Sequence, residues 1–333
     1  MTTEAWPDRG QILAMASSFR PACVLGAAAE LDLFTVLGQD SMSAVELATR
    51  LSTNLRATRM VLDALAALRL LRKDGDLYSV PAELRPLLTE GGQQTVLPMI
   101  RHNMNVLRAW SQLAWVTKAG IPGPRQASIR GTEADRASFI AAMHAISGPL
   151  ADDVVARLRP PPFHHLLDVG GASGTWALAF LRAVPGSRAT IFDLPDAIQQ
   201  ARDRLAGSPL ADRVSLVAGD FYKDELPAGV DFAWLSAIIH QHSRQHNREL
   251  FAKVRAALAS GGWIAIRDMV MEPSRFRPID GALFAINMLV NTDTGGTFTF
   301  EEIAEDLQSA GFTRPELRIK SEDMNSVVMA TKP

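Results

Sequence analysis

The chain of 333 residues has a single cysteine, Cys23, which excludes a disulfide framework and a cysteine-built zinc site. An excess of one charge is missing too: 34 Lys and Arg stand against 36 Asp and Glu, net −2 at pH 7. Nothing electrostatic therefore draws the chain to a polyanion. No stretch of about 18 uncharged apolar residues is present. Residues 1–10 carry Glu4, Asp8 and Arg9 where a signal peptide would have its apolar core. These absences predict a soluble, cytoplasmic protein with no membrane or nucleic-acid partner. The chain is rich in apolar residues, at 47%, and long enough for two domains with a core each.

Apolar positions recur at helical spacing over residues 11–38, around Leu13, Phe19, Val24, Leu31 and Leu37, with Gly38 as the stop. Ser43 and Glu46 have the spacing of a capping box and open a second helix, and Asn54–Leu71 forms a third. Two short strands then flank Asp74-Gly75. Helix, helix, hairpin describes a winged helix, a module that often reads DNA. Over residues 1–100, however, nine Lys and Arg face eleven Asp and Glu (9 − 11 = −2), whereas a duplex reader presents a basic face. A dimerisation role fits better. A helix over residues 95–118, with Trp110 and Trp115, either packs as core or lines a cavity. Another spans 134–158 and ends at Pro160-Pro161-Pro162.

The densest signal lies at 164–175. A short apolar strand ends in Asp168, and Gly170, Gly171, Ala172 and Gly174 make a tight turn into a helix. Residues without a Cβ let a backbone approach a ligand closely. The spacing Asp168-x-Gly170-x-Ala172-x-Gly174 follows the acidic-x-Gly-x-Gly-x-Gly pattern of S-adenosylmethionine (SAM) methyltransferases better than the phosphate-cradling G-x-G-x-x-G. Asp193 closes a second strand about 20 residues on, where a carboxylate can accept from both ribose hydroxyls. Gly219-Asp220-Phe221 closes a third, with Asp220 placed for an exocyclic amine and Phe221 for the adenine ring; a turn aspartate and a core phenylalanine are the plainer alternative. Strands near 164–169, 189–193, 213–218, 230–236 and 262–268 alternate with helices, predicting a Rossmann-like, doubly wound α/β sheet. Ser236, at the end of the fourth strand, joins the cofactor set. Three histidines follow, His240, His242 and His246, at spacings that place at most one pair on a helix face, so no metal site is expected.

The chain resembles the class I SAM-dependent O-methyltransferases that include the caffeic acid, acetylserotonin and bacterial secondary-metabolite enzymes. The likeness is carried by Leu31-Asp32-Leu33-Phe34, Glu46-Leu47-Ala48, Asp168-Val169-Gly170-Gly171, Phe192-Asp193-Leu194-Pro195, Gly219-Asp220-Phe221, Gly261-Gly262 and Ala310-Gly311-Phe312. It implies a homodimer joined through an N-terminal winged-helix domain (1–100) and a catalytic domain (101–333), of which 101–160 helps to form the acceptor pocket. It also places His240 where the family keeps the general base, 21 residues before Gly261. Gln241 and His242 replace the family's Asp and Trp. Asp268 stands for one bracketing glutamate and Thr297 for the other. Phe139, Met143, Phe284, Met288 and Asn291 are the candidates for the acceptor wall; the same resemblance places Met143 and the helix over Asp280–Asn291 there, and Met and Phe at helical spacing as plain core is the alternative.

A neutral hydroxyl must lose its proton as its oxygen attacks a sulfonium methyl. Moving that proton from a phenol (about 10) to an imidazole (about 6.5) is uphill by roughly 5 kcal/mol, within what in-line positioning can offset. A phenol or enol of a small aromatic metabolite is therefore the expected acceptor. N- or C-methylation on the same scaffold and a SAM-sensing regulator are the rival readings.

Overall fold

The computed structural model describes residues 6–171 and 173–333, without the side chains of 144–146; Ala172 of the turn motif lies outside the described residues. Two compact units emerge. One reaches Arg108 and takes in Arg125–Ala145; the other holds Ala109–Pro124 and everything from Ile146 onward.

In the first unit the segment expected to be helical is three helices, Arg9–Ser17, Phe19–Glu30 and Leu33–Leu37, with Gly38 at φ +53 ending the last. The interruption at Asp32 is left-handed (φ 57), a conformation that Asp tolerates better than most residues. Its carboxylate is held there by Arg101 and Arg130. Ser43 and Glu46 form the expected reciprocal cap on Ala44–Arg50, and Asn54 caps Leu55–Ala67. Arg72–Asp74 pairs with Leu77–Ser79 around Gly75, and Met42–Ser43 adds a third strand. The helix, helix, hairpin order is present, closed over Leu33, Phe34, Leu37, Leu47, Leu62 and Leu65, all buried.

Buried Arg101 explains why the chain beyond residue 100 stays with this unit. Its guanidinium donates to the Ala29 carbonyl at 3.0 Å and pairs with Asp32 and Glu90. Arg108 pairs with buried Glu30 in the same way.

Arg9–Glu30 is long and apolar enough to cross a membrane by length and composition, with mean hydropathy 1.5 over its best window. The expectation that no such stretch exists came from counting uncharged runs, and Arg20 interrupts the run without removing its apolar average. Ile12, Leu13, Met15 and Phe19 lie exposed on it.

The two long helices expected further on are each broken. The first divides into Leu97–Trp110 and Leu113–Ala119, and the second into Thr132–Ser147 and Ala151–Leu158. The second break falls at Gly148-Pro149, where proline lacks an N–H and disfavours helix in the residue before it.

The second unit is built on seven strands: β1 (His165–Val169), β2 (Arg188–Asp193), β3 (Val214–Ala218), β4 (Val230–Ser236), β5 (Leu258–Asp268), β6 (Thr313–Ile319) and β7 (Ser326–Thr331). Their order is β6-β7-β5-β4-β1-β2-β3, parallel except for β7, which runs antiparallel to both of its neighbours. The strand order reverses at β1 and β4, and ligands of doubly wound sheets bind at such a switch point, beyond the carboxyl ends of the strands. On one face of the sheet Phe232 and Trp234 of β4 meet Phe180 of the helix Thr175–Ala183, with Ala151–Leu158 in the same apolar cluster. On the other, Phe251 and Val254 of Arg244–Ala257 and Leu307 of Phe300–Ser309 share an apolar cluster with Phe312.

Candidate active site

The sheet carries the whole expected cofactor set to its carboxyl edge. Asp168 is the next-to-last residue of β1, Asp193 ends β2, Asp220 and Phe221 follow β3, and Ser236 ends β4. Between β1 and its helix, Gly170 sits at φ +69, and a Cβ there would stand 2.5 Å from Ile238 Cδ1. At Gly171 a Cβ would stand 2.6 Å from the Asp168 carboxyl carbon. Gly174 (φ +72) opens the helix Thr175–Ala183. Side chains are excluded here because the Asp168 carboxylate and the aliphatic side chains of Ile238 and Ile191 already fill the space.

Asp168 is 1% exposed, and neither carboxylate oxygen has a hydrogen-bond partner among the described residues. Burial pushes its carboxyl up to about 7, and the Asp193 charge pushes the same way; the Ala177 amide opposes them without reaching hydrogen-bonding geometry. A buried, unpaired carboxylate is costly unless a cation joins it. Asp193 accepts from the Leu194 amide at 2.7 Å. Asp220 accepts from the Tyr222 amide at 2.9 Å and pairs with Lys223 at 3.1 Å, contacts that hold its carboxyl below the usual range. Phe221 packs against Tyr222 and, edge-on, against His242.

After β4 the chain turns sharply at Ala237, a non-glycine residue at φ 59, the kind of strain that clusters at functional sites. The turn delivers His240 on a single 3₁₀ turn, Ile239–Gln241. His240 is 7% exposed. Its Nδ1 lies 2.9 and 3.0 Å from the two oxygens of Asp268, which is buried at the end of β5. With a carboxylate accepting at Nδ1, the proton belongs there and the lone pair falls on Nε2, where no partner reaches it among the described residues. From the helix Ile279–Asn291, Phe284 meets the His240 ring edge-on at 4.8 Å. The following loop grips the turn from behind: the Gly296 amide donates to the His240 carbonyl at 2.8 Å. Buried Thr297 contributes its backbone carbonyl to Arg275.

His242 differs from its neighbour. Its Nδ1 is engaged by the Tyr222 hydroxyl, and burial, followed by the charges of His240 and His246, drives it down to about 4. It stays neutral at physiological pH. His246 hydrogen-bonds Ser243, and among the described residues no three His, Cys, Asp or Glu side chains gather as a metal site.

Of the expected acceptor wall, Phe284, buried Met288 and Asn291 share the helix Ile279–Asn291 with Asn287, whose Oδ1 accepts from both the Trp110 indole and Asn291. Phe139 and Met143 belong to the first unit, on Thr132–Ser147, where Phe139 packs on His102 at 5.1 Å. Sequence reasoning missed Tyr222, Arg267, Asn287 and the Gly295-Gly296 grip. A charged residue within the apolar run Ile264–Ile266 and Asp268 was the one signal that could have flagged Arg267.

A family description of an O-methyltransferase domain matches residues 103–313, and one of an O-methyltransferase dimerisation domain matches 13–82. The tetracenomycin polyketide synthesis 8-O-methyl transferase TcmO of Streptomyces glaucescens is 31% identical over 315 residues, 91% of each chain. The chain belongs to the O-methyltransferase family. It is a SAM-dependent methyltransferase by that membership. Within the family it is also 28% identical to the N,N-dimethyltransferase OxyT of Streptomyces rimosus, over 97% of this chain and 96% of that one. The structure of PigF with SAH superposes with a TM-score of 0.85 at 24% identity, covering 98% of this chain and all of that one.

Proposed function

We propose that the chain transfers a methyl group from SAM to the phenolic or enolic hydroxyl of a small aromatic metabolite, with His240 as general base. The observation that carries this reading is the His240–Asp268 pair. It is a buried imidazole fixed through Nδ1, with Nε2 open, at the switch point beside the glycine turn.

SAM, when bound, supplies a methyl on a sulfonium that needs no activation by the protein. The residues present fit it: Asp168, unpaired among the described residues, suits its cationic groups, the Gly170-Gly171 turn brings bare backbone to the carboxyl edge, Asp193 suits ribose hydroxyls, and Asp220, Phe221 and Ser236 complete the edge. The protein's own work is on the acceptor. Phe284, Met288 and Asn291 wall it, His240 Nε2 takes the hydroxyl proton, and the Asp268 carboxylate stabilises the imidazolium that results. His242, tied to Tyr222 and held down near 4, is a poorer acceptor of that proton. Functioning as a homodimer through the domain at 13–82 belongs to the same reading.

The N,N-dimethyltransferase among the relatives supports a second reading, in which an amine already neutral at pH 7 needs no base. Incubation with methyl-labelled SAM and a panel of hydroxylated and aminated aromatics, with the label located by mass spectrometry and NMR, separates the two. Label on oxygen is expected, and label confined to nitrogen contradicts the reading.

A further inference from the structure

Arg267 is 3% exposed, sits next to Asp268 near the end of β5, and has no part in the chemistry above. Its Nε donates to Asn325 Oδ1 at 2.9 Å and one terminal nitrogen donates to Ser236 Oγ at 3.0 Å, while its guanidinium carbon lies 4.6 Å over the Trp176 ring. No carboxylate pairs with it among the described residues, and its second terminal nitrogen has no partner there. That nitrogen is not fully enclosed and so keeps some accessible surface. Burial lowers its pKa to about 10 against the pull of Asp268 and Asp323. Among the described residues, a buried guanidinium without an anion is the mirror image of Asp168, a buried carboxylate without a cation.

Register relates the two. Asp168 lies opposite Trp234, Trp234 opposite Ala265, and Arg267 is two residues further toward the carboxyl edge. With the period of two along a strand, all four side chains share one face of the sheet. Only β4 separates β1 from β5, so the two strands lie about 10 Å apart, and with the two-residue offset the Cα atoms of Asp168 and Arg267 stand about 12 Å apart on this face. An α-amino acid head with a hydrogen bond of about 3 Å at each end of its short ammonium-to-carboxylate span is roughly 9 Å wide, shorter than that backbone separation by an amount that side chains extending from the two strands can make up. Ser236 and Trp176, the neighbours that hold the guanidinium, end β4 and begin the helix after the glycine turn.

We propose that Arg267 is a cofactor-binding residue whose free edge receives the methionine carboxylate of SAM, while Asp168 receives the ammonium on the same face. The inference rests on the SAM reading above. Guanidinium is the group best matched to a carboxylate, and a charge-assisted bond in a dry site is the strong kind.

Calorimetry on the full chain tests it with three probes: S-adenosylhomocysteine (SAH), its decarboxylated analogue, and 5′-methylthioadenosine, which lacks the whole amino-acid head. The wild type is expected to bind decarboxylated SAH about 10- to 150-fold more weakly than SAH. Arg267→Met should weaken SAH by a similar factor while leaving decarboxylated SAH and methylthioadenosine within about threefold of their wild-type values. Arg267→Lys should recover part of the loss, because an ammonium still pairs with a carboxylate. Wild type that binds decarboxylated SAH as tightly as SAH overturns the proposal without any variant. So does an Arg267→Met protein that weakens all three probes alike, the mark of a purely structural arginine. Wild type that binds none of the three overturns the SAM reading itself.

Discussion

Asp168 is the residue with the most unusual setting, because burial and Asp193 together raise its carboxyl to about 7. A carboxyl raised on folding binds more protons in the native state than in the unfolded one between about 4 and 7. Its contribution to stability is therefore present below the unfolded value and lost as pH rises toward 7, by up to about 4 kcal/mol. The free protein's thermal midpoint should fall over that window, and Asp168→Asn should flatten this part of the profile. Ligand binding has the opposite sign. A cationic cofactor requires the ionised form, so SAM affinity should rise with pH through about 7, with protons released on binding below it. Calorimetry in buffers of different ionisation heat reads that release, and uptake of protons would contradict the assignment. His242 contributes in the other direction. Held down to about 4, it adds stability above its unfolded value near 6.5 that is lost as pH falls through 4.

The element with most leverage on the chemistry is the loop after the helix Ile279–Asn291. A Cβ on Gly295 would stand 2.5 Å from the His240 carbonyl oxygen and 2.4 Å from Thr292 Oγ1, whereas one on Gly296 would meet nothing within 4 Å. Gly295→Ala should displace the 3₁₀ turn and lower kcat by about 10- to 100-fold, as misplacement of around 1 Å does, with SAH affinity unchanged. Gly296→Ala should do neither. Steady-state kinetics beside SAH titration checks both, and equal losses in the two variants would show that the loop does not act through His240.

Much at this scale was legible beforehand. Asp168, Asp193 and Ser236 reach one edge because strand ends in a parallel sheet do, and alternating apolar runs reveal where strands end. The capping box at Ser43 and Glu46 was equally plain. What stayed hidden depends on long-range contact. β6 reads Thr-Arg-Pro-Glu-Leu-Arg-Ile and sits at the sheet edge, where polar residues and proline are tolerated and the apolar signature fades. The link from Arg267 to Ser236 spans 31 residues, and Trp110 to Asn287 spans 177; no local pattern encodes either.

At the scale of the whole molecule, Arg9–Glu30 stands largely uncovered, with only 17% of its apolar window buried. Its second helix falls in the dimerisation match at 13–82, and a second copy of the chain is the covering this account expects. Light scattering should give twice 36.2 kDa. A charge placed on the exposed apolar face, Phe19→Asp, should shift the chain toward monomer, since burying a lone carboxylate in an apolar contact is costly. A wild-type monomer at micromolar concentration would leave this face to some other partner.

The central claim is that His240 takes the acceptor's proton, and one paired measurement bears on it most directly: the single-turnover rate and the SAH affinity of folded His240→Ala, using the best phenol from the acceptor panel. The account predicts unchanged SAH affinity and a rate lowered by about 10²- to 10⁴-fold, the usual contribution of a positioned general base. A His240→Ala protein with a wild-type thermal midpoint and a wild-type rate would contradict it.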